Sequence, residues 1–511
     1  MDKWLYSFAA KEIQKYILQG DKLKDMVGGS ELINHLCQDF VGESLDRLGI
    51  NKSTYTIIAQ AAGWAKILFN DASAANRFFT CWPLLAERFA PGLQIVQALV
   101  KVDNSLVFAL GESEKRLSAE RNLVPAEMPE IGPLIERNPR TGMAAVRYSG
   151  KEDQLQDRQT VRKRHFLNKD ALVRKMTGGG MSNEIQWPVD MDHIAGSEKK
   201  YLAVIHADGN DLGKTIIQIQ KHLEIRPEVA GEAFEEFSAA IEETTLSAVK
   251  VAYQDVLKKD HDEEGREFIA ARPLVLGGDD LSIIVRSDLA FEFVRIFLEA
   301  FETQSGKSLK KRLGKFDISG LPSKLTSCAG IAFVKKAYPF SRAYDLAESM
   351  CSYAKKIAKD RRDGGFVPSC FSFYKVTSSI AGDYGEIMDK DLTSRDRSIR
   401  LWRGPYGVGR HAAMLAKYEN LKELSEVLSA FPSGSVRTLI TTLYSNGNKA
   451  KADFDRILEI AKRSDKGKQA SKLQNVLTVL TSDEANPLWD RQGHSPLLDA
   501  HRMKELLDNK A

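Results

Sequence analysis

The sequence predicts an α+β protein of two ferredoxin-like palm units, a connector and a C-terminal helical bundle. Three observations carry this. Residues 200–376 run strand, helix, strand, strand, helix, strand, residues 1–110 repeat a fainter version of that order, and residues 377–511 read mostly as amphipathic helix. The β-α-β-β-α-β order gives an antiparallel sheet with helices on one face. A chain of 511 residues has room for about two to four domains.

In the first unit, Trp4 to Phe8 reads as a strand, followed by helical EIQKYILQ and SELINHLCQDFVGESLDRL. TYTIIAQAAGWAKILFN reads as a hairpin with Ala-Gly-Trp-Ala-Lys at its tip, then come a helix (ASAANRFFTCWPLLAERF) and a strand (LQIVQALVKV). Residues 111–199 are polar and rich in Pro and Gly (GPLIERNPRTG, KMTGGGMSNE), a partly helical connector. Its basic run VRKRH (161–165), like KKRLGK (310–315), reads by default as a solvated face, with RNA contact as the alternative. The second unit opens with the strand YLAVIH. A helix follows in which Phe234, Phe237, Ile241, Ala248, Ala252 and Val256 recur at three- and four-residue steps. A charged loop (KKDHDEEGRE) leads to the hairpin LVLGGDDLSIIV. A helix (FEFVRIFLEAFETQ), a strand (LTSCAGIAFVKK), a helix with Tyr344, Leu346, Ala347, Met350 and Ala354, and the strand CFSFYKV complete the unit. Beyond it, HAAMLAKYENLKELSEVLSAF and KADFDRILEIAKR read as helices, broken by turns at Pro432-Ser433-Gly434 and Ser445-Asn446-Gly447.

Composition excludes several classes. Hydrophobic residues are 43% and charged residues 28%, with a net charge of +4, too small to demand a nucleic-acid partner. The five cysteines form no CxxC pair, which argues against zinc and disulfides and for a reducing cytoplasm. No signal peptide and no apolar run long enough to span a bilayer is present, so a soluble cytoplasmic protein without a membrane partner is expected.

The stretch Gly277-Gly278-Asp279-Asp280 is where chemistry is expected. Gly and Asp make good turns, so a plain hairpin turn is one reading. Topology supplies the other, because the first strand of such a sheet can lie beside the hairpin and bring Asp208 to Asp279 and Asp280. Three converging carboxylates repel one another unless a cation lies between them. Hard oxygen ligands suit Mg²⁺ or Mn²⁺, and two such ions can clamp the attacking and leaving oxygens of a phosphoryl displacement. Gly209, Gly277 and Gly278 leave the backbone open to a triphosphate.

The motifs HADGNDLGK (206–214), LGGDD (276–280), TSCAGIAF (326–333) and AYPFSRAYDLAESMCSYAKK (337–356) resemble the polymerase palm of the large subunit of type III CRISPR effectors. IQKYILQGDKLKDMVGGSELINHL (13–36) is similar to the opening of that family's first, inactive palm, and RGPYG (403–407) with the helical tail suits its C-terminal domain. The resemblance implies that ATP is joined 3′–5′ into cyclic oligoadenylates with loss of pyrophosphate, in antiviral signalling. It implies Asp208 and Asp279 as ligands of a two-metal site with Asp280 supporting the metal or the triphosphate, and phosphate approaching Gly209, Gly277 and Gly278. It also places Lys355 on the triphosphate and Ser327 near the base. A paired strand hydroxyl remains the alternative for Ser327, and a solvated helix lysine for Lys355.

The sequence departs from many relatives in two respects. No histidine-aspartate nuclease domain is read, His261-Asp262 belonging to a charged surface segment, and ERNPRTG (136–142) lacks the zinc cysteines often found between the palms. His193 and His206 are expected to be structural. Nucleoside triphosphates are the expected ligands, with the acceptor nucleotide against the first palm in a composite site within one chain or between two chains, and Trp64 and Lys66 lie at that palm's hairpin tip without a carboxylate. RNA-guided effector subunits and RNA, or a homo-oligomer if the chain works alone, are the partner alternatives. The competing functions are a non-catalytic palm scaffold and a stand-alone cyclic dinucleotide synthase.

Overall fold

The computed structural model describes residues 2–20, 22–61, 63–103, 105–123, 132, 134–167, 170–179, 185–196, 201–223, 229–377, 382–463 and 467–508. Ala62 of the first hairpin tip and the end of KMTGGGMSNE lie outside them. The architecture is α+β, as the sequence predicts, and no described helix is long and apolar enough to cross a membrane.

The first unit has four strands, β1 (Lys3–Lys11), β2 (Tyr55–Ala61), β3 (Trp64–Phe69) and β4 (Gln94–Val102), in the order β2-β3-β1-β4. β1 is antiparallel to both β3 and β4, the ferredoxin-like arrangement. Helices Leu23–His35 and Ala72–Phe89 cover one face, where Tyr6, Phe8, Phe69, Phe78 and Trp82 are fully buried together. Asp71 caps the second of these helices, accepting from the Ser73 and Ala74 amides. Trp64 and Lys66 belong to β3 and not to the turn. Gly63, at φ +96, makes the reversal and donates its N–H to Cys37 Sγ.

The connector carries a small hairpin, β5 (Ala145–Ser149) and β6 (Gln154–Asp157), and the helices Arg158–His165, Ala171–Thr177 and Met191–Ala195. Helix Leu106–Asn122 runs across residue 110, where the sequence suggested the first unit would end. In the basic run 161–165, His165 is exposed as expected, but Lys163 and Arg164 are not solvated. Lys163 is fully buried and donates to the Tyr16 carbonyl, and Arg164 binds Asp25 (2.5 Å) and Glu152 (3.0 Å). In KKRLGK, Lys311 and Arg312 pair with Glu243 and Glu236 of helix Ala230–Ala252 at 2.9 Å each.

The second unit's sheet comprises β7 (Tyr201–Gly209), β8 (Ala271–Gly277), β9 (Asp280–Arg286), β10 (Ser327–Lys335), β11 (Cys370–Lys375), β12 (Tyr406–Gly407) and β13 (Ala416–Lys417). Their order is β13-β12-β11-β10-β7-β9-β8, so β10-β7-β9-β8 reproduces the first unit's topology. β11 pairs parallel to β10, which requires a crossover, and helix Phe340–Asp360 supplies it. Helices therefore cover both faces here, not one. Ala203, Ile205 and Ala207 of β7 face helices Ala230–Ala252 and Ser287–Leu313. Leu202 and Val204 alternate to the other face, where helix Phe340–Asp360 and the first unit's helices form a single core.

Two local expectations are corrected. KKDHDEEGRE is helical up to Glu264 rather than a loop, with Lys258 and Asp262 paired one turn apart (2.6 Å) and Gly265 ending the helix at φ +60. Within HAAMLAKYENLKELSEVLSAF the helix begins only at Tyr418, because Ala416–Lys417 extends the sheet edge beside Tyr406–Gly407 of the RGPYG segment. Helices Ser433–Ser445, Gly447–Arg463, Gly467–Thr481 and Leu497–Asp508 complete the C-terminal bundle.

Gly330 sets how closely helix Phe340–Asp360 lies on the sheet, since a Cβ there would stand 2.0 Å from the Ala347 carbonyl and 2.6 Å from the Cys351 nitrogen. Overpacking at such a contact costs ~1–3 kcal/mol. Gly330→Ala should lower stability by at least that amount in chemical denaturation, and an unchanged midpoint would contradict this packing account.

Candidate active site

β8 and β9 are joined by the two residues Gly278 and Asp279, with Gly277 paired to Asp280. Gly278 has φ +61, a conformation glycine adopts without cost in a tight hairpin loop. Its carbonyl accepts a 2.7 Å hydrogen bond from the Thr245 hydroxyl, which ties the tip to helix Ala230–Ala252. Beside the hairpin, β7 and β9 pair as far as Ala207 and Leu281. The next step along both strands brings Asp208 next to Asp280.

Asp208, Asp279 and Asp280 each offer a carboxylate oxygen within 4.8 Å of the others. Lys355, on helix Phe340–Asp360, donates its ammonium to Asp208. Burial would raise the Asp208 carboxyl, but the hydrogen bond from Asp279 and the Lys355 charge hold it below the ordinary carboxylate range. Burial and its two acidic neighbours push Asp279 well above that range. Burial, reinforced by the Asp208 charge, pushes Asp280 to about 7 despite Lys355. Protons thus occupy the cluster near neutrality where a divalent cation would otherwise balance charge, and three hard oxygen donors fit Mg²⁺ or Mn²⁺.

Gly209 has a packing reason to be glycine, for a Cβ would lie 3.1 Å from Asp279 Cβ and 2.8 Å from Leu212 Cδ1. Ser327 pairs with Gly209, on the face of β10 opposite to Cys328 and Lys355. Its hydroxyl is fully buried and has no hydrogen-bond partner among the described residues, so the structure does not bring it into contact with the carboxylates. His206 is buried, hydrogen-bonded to Ser282 (3.1 Å) and lowered to about 4 by burial, a neutral structural residue. His193 stacks on Phe268, and His261-Asp262 sits on a surface helix.

Three contributors escaped the sequence reading. Glu348 lies seven residues before Lys355 on one helix face, its side chain exposed and its carboxyl raised by partial desolvation, Asp345 and Asp208. The seven-residue spacing from Lys355 was the available signal. Asn210 ties the end of β7 to Thr326 through its backbone (2.8 Å) and its side chain (3.0 Å). Arg362 forks onto Asp211 at 2.7 and 3.0 Å, a pairing 151 residues apart that no local pattern encodes.

A cavity of 560 Å³ opens beside the hairpin tip. Gly278 and Asp279 line one end, Trp64 and Lys66 of the first unit's sheet line another, and Phe237 and Ile241 lie between them. Lys66 is held by Glu114 at 2.7 Å.

The four antiparallel strands β10-β7-β9-β8, with three carboxylates at the end of β7 and the β8–β9 hairpin, have the architecture of a palm domain. Residues 201–363 match the family Cas10/Cmr2, second palm domain. Crystal structures of a Csm1-Csm4 cassette superpose on the whole chain. The complex with one ATP gives a TM-score of 0.52 at 13% identity, covering 100% of this chain and 70% of that one. The complex with pppApA gives 0.51 at 13%, covering 99% and 69%, and that with cA4 gives 0.50 at 14%, covering 100% and 70%. At such identities the likeness concerns the fold. No curated protein sequence matches the chain.

The raised carboxyl of Asp280 has a sign that can be tested. Its folded pKa of about 7 exceeds the unfolded ~3.9, so the folded state binds more protons across that window and stability falls as pH rises through it. In metal-free protein, the stability of the parent relative to Asp280→Asn should decline between about pH 4 and pH 7, by up to a few kcal/mol at ~1.4 kcal/mol per unit. A difference that stays constant across a chelator-treated melting series would refute the raised value.

Proposed function

We propose that this chain is a metal-dependent nucleotidyltransferase that joins nucleoside triphosphates, ATP in particular, into cyclic oligonucleotide second messengers with release of pyrophosphate. It would act in the cytoplasm as the palm subunit of a type III CRISPR effector. The observation that carries the reading is the convergence of Asp208, Asp279 and Asp280 at a glycine hairpin, inside the segment that matches the Cas10/Cmr2 second palm. The Csm1-Csm4 relatives, crystallised with ATP, pppApA and cA4, lend it weight.

In this reading the three aspartates hold Mg²⁺ or Mn²⁺, which when bound would neutralise triphosphate charge and favour the ionised 3′-hydroxyl. The backbone at Gly209, Gly277 and Gly278 admits the phosphates, and Lys355 offers its ammonium to the triphosphate. A 3′-oxygen of one nucleotide bonds to the α-phosphorus of the next, the bond to pyrophosphate breaks, and the hydroxyl proton leaves. The cavity between the units falls in the size range of small-ligand sites, so we place the acceptor nucleotide there, against Trp64 and Lys66. We assign catalysis to the palm of residues 200–376 and an inactive palm to the first unit, whose last helix Leu106–Asn122 runs past residue 110, with a connector between them and the C-terminal helices beyond.

The test is a mass-spectrometric product assay with each nucleoside triphosphate and Mn²⁺ or Mg²⁺, with and without RNA and partner subunits. Asp279→Asn should reduce synthesis by the ~10²–10³-fold typical of removing one strong transition-state interaction. Its metal-free fold should melt no lower than the parent, because an amide keeps the donor that the protonated Asp279 offers Asp208. Full parental activity in Asp279→Asn would overturn the reading, and an absence of product under every condition would favour the scaffold alternative.

Lys66→Ala separates the two palms. It removes no carboxylate, so the rise in melting temperature on adding Mn²⁺ with an ATP analogue should retain its metal dependence. Loss of that dependence would relocate the metal centre.

A further inference from the structure

Three cysteines share one apolar cluster beside the end of β7. Cys328 of β10, Cys370 of β11 and Cys351 of helix Phe340–Asp360 pack there with Ala354, Ala358 and Val367, all three as free thiols. Cys328 and Cys370 are register partners across the parallel strands, both fully buried, with their sulfurs 3.6 Å apart. Cys351 turns elsewhere, its thiol donating to the Cys328 carbonyl at 3.3 Å. No CxxC spacing marks the pair, because 42 residues separate its members along the chain. Register partners on neighbouring strands stand ~4.8 Å apart at their backbones, inside the ~4.4–6.8 Å that a disulfide spans. The sulfurs have only to close to ~2.05 Å, a movement of side chains rather than of strands.

The pair adjoins the carboxylate site. Cys328 is the register partner of Asp208. Its sulfur accepts from Asn210 Nδ2 at 3.4 Å, and the Cys370 thiol donates to the Ala354 carbonyl at 3.7 Å, one residue before Lys355. Sulfur thus fastens both the strand end that carries Asp208 and the helix turn that carries Lys355. A small oxidant also has a way in, through a pocket of 240 Å³ lined by Asn210, Thr326 and Val367. Asn210 touches both that pocket and the Cys328 sulfur, and its Oδ1 is buried without a hydrogen-bond partner among the described residues. That oxygen can accept from the O–H of a hydroperoxide.

We propose that Cys328 and Cys370 form a peroxide-sensitive dithiol that closes to a disulfide and weakens metal binding at the neighbouring carboxylates. Two S–H bonds and the O–O bond of one hydrogen peroxide break, one S–S bond forms, and two waters leave. The thiols give up two electrons and the peroxide takes them. Disulfides of reducing compartments are usually transient and redox-sensing. Closure draws the Cys328 sulfur from Asn210 and takes the Cys370 proton from the Ala354 carbonyl, so the Asp208 strand end and the Lys355 turn each lose a tie. Formation of the bond rests on the thiol geometry alone, whereas its effect on metal rests on the function proposed above.

The test exposes the full chain, free of metal, to hydrogen peroxide and then blocks remaining thiols with N-ethylmaleimide under denaturing conditions. After tryptic digestion without reductant, mass spectrometry should find LTSCAGIAFVK joined to DGGFVPSCFSFYK, lighter by two hydrogens than their sum. The Cys351 peptide AYDLAESMCSYAK should carry the maleimide, and dithiothreitol should separate the joined pair. The rise in melting temperature on adding Mn²⁺ with an ATP analogue should shrink severalfold in the oxidised parent and return after dithiothreitol. Cys370→Ser should keep that rise before and after peroxide, with Cys370→Ala as the second variant if serine lowers the melting temperature of the reduced protein. Maleimide on both Cys328 and Cys370, at peroxide doses that oxidise the half-buried Cys81, would overturn the proposal. A bond from Cys328 to Cys351 would do the same. A joined pair with an undiminished metal response would overturn the link to the carboxylates. If the reduced parent itself shows no metal response, the carboxylate reading fails and the effect on metal with it, while the joined peptides still decide the disulfide.

Discussion

Everything at the candidate site depends on mutual repulsion held in place. Three carboxylates occupy a volume that solvent would not let them share, because the ends of β7 and β9 are fixed by a sheet buried on both faces. The fold meets this with Lys355 on Asp208 and with raised carboxyl groups at Asp279 and Asp280. The surrounding features serve that arrangement. Thr245 ties down the hairpin carbonyl, Asn210 fastens the strand end, and Gly209 leaves space for Asp279. The site stores an affinity for positive charge, and packing elsewhere sustains it.

Much of this was legible in the residues. The strand pattern of YLAVIH and LVLGGDDLSIIV, with the ferredoxin-like order, was enough to bring Asp208 beside Asp279 and Asp280. Lys355 came from the resemblance, and the structure places it on Asp208. What escaped detection depends on tertiary partners. Lys163 looks like a solvent lysine in VRKRH and becomes buried only because Tyr16 offers a carbonyl and a ring. The helix in KKDHDEEGRE hid behind its charge, since polar composition reads as loop until the i, i+4 pairs are counted. The alanine-rich run before Tyr418 looked helical, and a sheet edge claimed it instead.

The two units are alike in topology and unlike in chemistry. β3 of the first carries Trp64, Ala65 and Lys66 where β9 of the second carries Asp280, Leu281 and Ser282. An apolar ring and one cation replace a cluster of anions, so the first unit can offer a surface to a nucleotide but no ligand set to a metal.

The helices of the first unit and the rear face of the second sheet share one continuous core, with Tyr6, Trp82, Leu202, Val204, Ile284 and Met350 among its members. A hinge between the units would have to tear that core open. The gap between Asp279 and Trp64 therefore behaves as a mould of fixed size, cast when the chain folds. Whatever that gap receives must therefore fit a size set by residues that never touch it.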